Sequence, residues 1–366
     1  VSIKFGLIYE ICRPEPFDGW ITEAEAYWQA LEQCRLADDV GFDHVWEVEH
    51  HFLEGYSLSS APEVFLSAVA QNTKHLRVGN GVRLLPPKFN HPVRSAEMAA
   101  VLDIMSHGRY DFGCGRSITE AELGGFNIDP EDSRPMLDEV LPEIVKMWTE
   151  HPYPGFDGKY FSMPERPILP KPLQDPHPPL WMACTQPRSF EMAADYGIGV
   201  LAFGVGAPGD VVNSVKRYKE LIKNPRRQAG KFVNNAIAPA TVMYCGQNEK
   251  EALDMGGVAA LWYGAQSAKL FAPWAGRQVE GYEYYANLAQ DKEFVKQFSR
   301  PFKDWLKDEY SLVGTPDEVA KGVQAYIDIG VDQIICLVQA GRVPHERIME
   351  SLSLFGKEVI PQFKKK

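Results

Sequence analysis

No apolar run in these 366 residues is long enough to cross a bilayer, so a membrane-spanning protein is not expected. Basic clusters are equally scarce. Apart from Lys364 to Lys366, which read as a solvated tail, lysine and arginine are dispersed. With 38 basic against 49 acidic residues and a net charge of −11, nucleic acid is not an expected partner. The six cysteines (Cys12, Cys34, Cys114, Cys184, Cys245 and Cys336) form no Cys-x-x-Cys pair, so zinc and dithiol chemistry lack support and no metal is expected. Most lie in apolar stretches and read as small buried hydrophobes of a reducing compartment. No signal-peptide pattern opens the residues given, and a cytoplasmic location is the expectation. Missing too are a Gly-rich dinucleotide turn, a low-complexity tract and an interdomain linker, so one domain over residues 1–366 is expected.

What recurs instead is a helix, a glycine and a short apolar strand. The pattern occurs around Gly41 in "ADDVGFDHVWEV", Gly108 in "IMSHGRYDFG", Gly197 in "AADYGIGVLAF" and Gly330 in "YIDIGVDQIICLV". Glycine suits the left-handed residue that closes a helix, and the β-rich run behind it reads as a buried parallel strand. Thr22 with Glu25, and Thr315 with Glu318 after Pro316, are capping boxes that open amphipathic helices. Strands are expected at residues 3–8, 43–48, 77–84, 109–114, 180–184, 199–203, 236–245 and 333–338. Eight alternating units predict a (β/α)8 TIM barrel, with a doubly wound sheet as the competitor. Two stretches break the rhythm. Residues 150–179, rich in proline, form an excursion before strand 5. Residues 262–290, aromatic and weakly periodic, form a long insert after strand 7 that reads as a lid over the barrel mouth.

Barrel active sites gather at the C-terminal strand ends. After strand 2 stand Glu49, His50 and His51; adjacent residues on extended backbone point oppositely, so the histidines divide into one catalytic and one structural residue. After strand 3, Gly79-Asn80-Gly81-Val82 either admits a flat ligand against the backbone or packs a crowded barrel. After strand 4, Arg116 follows Gly113-Cys114-Gly115, and Arg134 opens the next helix. Thr185, Gln186, Pro187, Arg188 and Ser189 begin a helix after strand 5, where free N–H groups attract anions. Each feature has an ordinary alternative, a surface ion pair or a cap. Together they point to a phosphate-bearing cofactor.

The segments "GFDHVWEVEHHF", "HPVRSAEMAAVLDIMSHGRYDFGCGR", "DSRPMLDE" and "VGTPDEVAKGVQAYIDIGVDQIICLV" resemble the bacterial luciferase family of flavin-dependent monooxygenases, above all the luciferase α subunit. The resemblance implies His50 as the catalytic histidine with Glu49 beside it, and Glu122 as the acidic residue beyond strand 4. It implies a cis peptide at Gly81–Val82 against the flavin, phosphate binding by Arg116 and Arg134, and a completing loop at Thr185 to Ser189. Two departures stand out. Gly115 replaces the family's reactive cysteine, and the insert differs, which speaks against light emission and a long-chain aldehyde.

The implied activity is that of a two-component monooxygenase. It would take reduced FMN from a separate NAD(P)H:flavin reductase and place one atom of O2 on a small organic substrate through a flavin C4a-peroxide. A homodimer or larger homo-oligomer is the expected assembly. The rivals are a deazaflavin (F420)-dependent dehydrogenase on the same barrel, a non-catalytic luciferase-like subunit and a flavin-storage protein.

Overall fold

The computed structural model describes residues 3–203, 208–304 and 311–364. Eight parallel strands close into a barrel: β1 Lys4–Tyr9, β2 His44–Glu47, β3 Arg77–Asn80, β4 Tyr110–Gly115, β5 Leu180–Cys184, β6 Gly199–Phe203, β7 Ile237–Cys245 and β8 Gln333–Leu337. The ring closes because β8 pairs with both β1 and β7. The strands are buried on both faces, as a sheet wrapped in helices must be. Helices α1 Glu23–Val40, α2 Pro62–Asn72, α3 Pro92–Met105, α4 Glu120–Gly125, α5 Pro130–Thr149, α6 Pro187–Tyr196 and α7 Pro208–Leu221 follow the first six strands. Helices Pro316–Asp328 and His345–Leu354 complete the last two units.

The local signals hold. Both capping boxes form, and Gly41, Gly108, Gly197 and Gly330 all carry positive φ. The run expected as one strand at 77–84 is divided: Gly81–Val82 is a cis peptide between β3 and a short strand Arg83–Leu84, which pairs with Cys114 and Gly115. Within the proline-rich excursion lies an antiparallel hairpin, Tyr153–Asp157 with Ser162–Arg166, whose prolines obscured its pattern. Lys364 is not a free tail residue, since its ammonium donates to Gly41 O and Asp43 Oδ1; Lys365 and Lys366 lie outside the described residues.

The insert after β7 is mostly helical. Helix Val258–Phe271 leads through a turn at Ala272–Trp274 to helix Glu283–Gln290. Its aromatic residues build a second core, where Phe271, Trp274, Tyr282 and Tyr285 pack with Leu123 of α4 and Met136 of α5. The weak periodicity has a cause: this apolar surface faces several elements rather than one.

Trp46 plugs the barrel below the cavity. Its indole stacks on His44 at 5.8 Å and meets Trp181 edge-on at 5.3 Å. A Cβ on Gly79 would lie 2.4 Å from the Trp46 ring, so Gly79 is there for packing. Gly113 meets an equally hard limit, since a Cβ would lie 2.0 Å from Asn80 O. Replacing Gly79 with alanine should lower stability by about 1–3 kcal/mol, the usual cost of overpacking. Gly124→Ala, whose Cβ meets nothing closer than 3.8 Å, should leave stability nearly unchanged. Denaturant titration of the two variants checks this contrast.

Candidate active site

Above the plug opens a cavity of about 1550 Å³ at the C-terminal ends of the strands. Glu10, His50, Gly81, Val82, Arg116, Arg134, Thr185, Gln186 and Ser189 line it, with Tyr263 and Tyr285 supplied by the insert. The strand ends deliver these side chains from far-apart stretches of sequence to one opening.

On one side stands His50. Its Nδ1 lies 2.8 Å from Glu122 Oε1. The same oxygen accepts the His51 backbone N–H at 3.0 Å, and Oε2 accepts the hydroxyls of Ser117 and Thr119, both at 2.6 Å. Glu122 is fully buried, so four donors replace the water its carboxylate has lost. Burial would raise its proton affinity, but His50 and the two hydroxyls hold Glu122 below the ordinary carboxylate range. For His50, burial pushes downward; the charge and hydrogen bond of Glu122, then Glu10 and Glu49, lift it to about 9. At neutral pH the imidazole therefore carries a positive charge.

The two histidines diverge as extended backbone requires. His51 Nε2 lies 3.3 Å from Glu49 Oε1, and its ring packs on Phe89 and Phe126. Glu49 also accepts from Asn90 Nδ2 at 2.7 Å and Leu84 N at 2.9 Å. It thus fixes the segment leaving the cis peptide. The carboxylate facing His50 Nε2 is Glu10, with Oε2 at 3.7 Å. Glu10 was not singled out from the sequence, although its place just past the apolar run of β1 was a usable signal.

The arginines line the same cavity. Arg116 donates to Ser133 Oγ and to Gly281 O, each at 2.7 Å, and lies 4.2 Å over the Tyr282 ring. Arg134 Nε is buried without a hydrogen-bond partner, while Nη1 meets only the thioether of Met192. Burial, then the charges of Arg116 and Arg188, lower the proton affinity of Arg134. Guanidiniums crowded together with an unmet donor fit an anion such as a phosphate. Gln186 donates to Gly281 O at 3.4 Å, and Thr185 bonds the Tyr285 hydroxyl. Ser189 Oγ donates to Gln186 O at 2.6 Å, whereas Pro187 and Arg188 are exposed. Gly81 and Val82 also line the cavity, and Val82 packs so closely on Gly115 that a Cβ there would meet Val82 Cγ2 at 2.4 Å. Among the described residues, no cluster suits a metal ion.

Because folding raises His50 from about 6.5 to about 9, its stabilising contribution is complete below pH ~6.5 and lost as pH rises through about 9. Glu122→Gln should lower the His50 midpoint by about 1–3 units. Histidine side-chain NMR reads this directly; an unchanged midpoint would refute the pairing.

Comparison with known proteins identifies the family. The luciferase-like monooxygenase family matches residues 10–333. The oxygenase component of a flavin-dependent trigonelline monooxygenase from Acinetobacter baylyi is 25% identical over 360 residues, covering 93% of this chain and 91% of that protein. The alkanal monooxygenase alpha chain of Photorhabdus luminescens is 25% identical over 369 residues, covering 100% and 98%. The crystal structure of monooxygenase RslO1 from Streptomyces bottropensis superposes with a TM-score of 0.78 at 28% identity, over 99% of this chain and 100% of that one. The chain belongs to the luciferase-like monooxygenase family and is an oxidoreductase.

Proposed function

We propose that this protein is the oxygenase component of a two-component system, binding reduced FMN delivered by a separate reductase and placing one atom of O2 on a small organic substrate. The observation that carries this reading is the buried, unpartnered Arg134 Nε beside Arg116, in a cavity that His50 also lines. Arg116, Arg134 and the Thr185 to Ser189 turn would hold the phosphate, and Gly81 and Val82 would line the flavin's ring. Bound reduced flavin supplies the electrons that activate O2. The protein's part is to orient, to exclude water and to hold a proton at His50 Nε2, with Glu122 fixing the ring through Nδ1. The Baeyer–Villiger outcome, hydroxylation and C–S cleavage all remain compatible with this division of labour.

Deazaflavins also carry phosphate, so the arginines serve either cofactor; dependence on oxygen separates the two. With a generic FMN reductase, oxygen uptake should rise on addition of a productive compound from a substrate panel. Hydride transfer to or from F420 without oxygen uptake would favour the dehydrogenase instead.

Reduced FMN should bind about 10–100-fold more tightly than reduced riboflavin, from a phosphate contact of about 1.5–3 kcal/mol. Arg134→Gln should erase most of that difference and leave riboflavin affinity unchanged. Equal affinity of the wild-type protein for the two flavins would overturn the phosphate assignment. His50→Ala should cut turnover by about 10²–10⁴-fold with reduced-FMN affinity kept within a few-fold. His51→Ala should act through stability, which steady-state kinetics and thermal melts distinguish.

A further inference from the structure

Glu10 stands at the end of β1, 2% exposed, in the wall of the cavity. Its Oε1 accepts the Tyr263 hydroxyl at 2.9 Å and the Tyr56 hydroxyl at 3.2 Å. Tyr56 also reaches the Tyr263 hydroxyl at 2.9 Å, and the two rings stack with centroids 5.6 Å apart. The other oxygen, Oε2, is buried without a hydrogen-bond partner and faces His50 Nε2 at 3.7 Å. Such an oxygen is costly unless an opposite charge faces it, and the imidazolium is that charge.

His50 is thus held at both nitrogens, but unequally. The 2.8 Å contact to Glu122 is a hydrogen bond that fixes the ring. At 3.7 Å, Glu10 attracts the ring without claiming its proton, so the Nε2–H remains free to donate elsewhere. Tyr56 comes from the loop before α2 and meets the His50 ring edge-on at 5.8 Å. Tyr263 belongs to the insert, on helix Val258–Phe271.

We propose that Glu10 is a positioning residue that keeps His50 protonated, and that Tyr263 ties this state to the docking of helix Val258–Phe271 on the barrel. Its bearing on turnover rests on the reading of His50 as the proton donor; its effect on His50 itself does not. Burial raises the proton affinity of Glu10, and the His50 charge, then the Tyr263 hydroxyl and the more distant Tyr56 hydroxyl, counter that rise only in part. The carboxylate then favours the imidazolium. The acidic groups acting on His50 are Glu122 from α4, Glu10 from β1 and Glu49 beside it in the chain. Of these three, among the described residues, Glu10 is the one that accepts a hydroxyl of the insert, that of Tyr263.

The test is a side-chain NMR titration of His50 in the full chain, with the resonance assigned from a His50→Gln sample. Glu10→Gln should lower the midpoint by about one pH unit or more. Tyr263→Phe should lower it by less, and adding Tyr263→Phe to Glu10→Gln should lower it no further, because the hydroxyl acts through the carboxylate. A midpoint unmoved by Glu10→Gln, or full additivity of the two changes, overturns the proposal. Tyr263→Phe keeps the ring, so it tests the link even where Glu10→Gln folds poorly. If the midpoints shift as expected while the pH profile of turnover stays put, Glu10 positions His50 and the proton-donor reading of His50 fails.

Discussion

A carboxylate with every lone pair occupied sits at the centre of this molecule. Glu122 lies in the interior of the barrel mouth, where an unmet charge would be prohibitive, and four donors satisfy it. Those donors come from the segment after β2 and the segment after β4. The same contacts that neutralise the acid therefore lock two loops together and orient the imidazole. Placement of His50 is not a matter of one rotamer, because moving it would strand a buried negative charge.

Below that centre the barrel is rigid for a different reason. Trp46 fills the interior so completely that Gly79 is left no room for a larger side chain without displacing it, and Gly81 has little to spare. The floor of the site is thereby fixed by aromatic packing, and the walls by polar contacts. The insert contributes to both sets of polar residues. Tyr263 reaches Glu10, while Gly281 and Tyr282 cover Arg116.

The barrel was legible in the sequence because each unit announces itself locally: a capping box, a helix, a glycine with positive φ and an apolar strand. Elements without that grammar were not. The hairpin Tyr153–Asp157 with Ser162–Arg166 is masked by proline, and the insert's helices turn apolar residues toward several partners. In the site, Arg116 and Arg134 were legible from their place after strand 4, while the choice of His50 within its pair and the role of Glu122 came through family resemblance; His50 and both arginines line one cavity, and Glu122 holds His50 without lining it. Sequence adjacency grouped Glu49 with His50, although its carboxylate turns to His51 and Leu84. Glu10 and Tyr263 stand 253 positions apart, and no local pattern reports a contact of that range.

The cysteines carry one more consequence. All six are buried and free, and burial raises every one of their thiols above its ordinary range. The reactive thiolate is therefore almost absent at neutral pH while the barrel is closed. Alkylation of this chain is then a clock for opening rather than a map of its surface: six silent positions, distributed from Cys12 to Cys336, that become reactive only as the structure around each gives way.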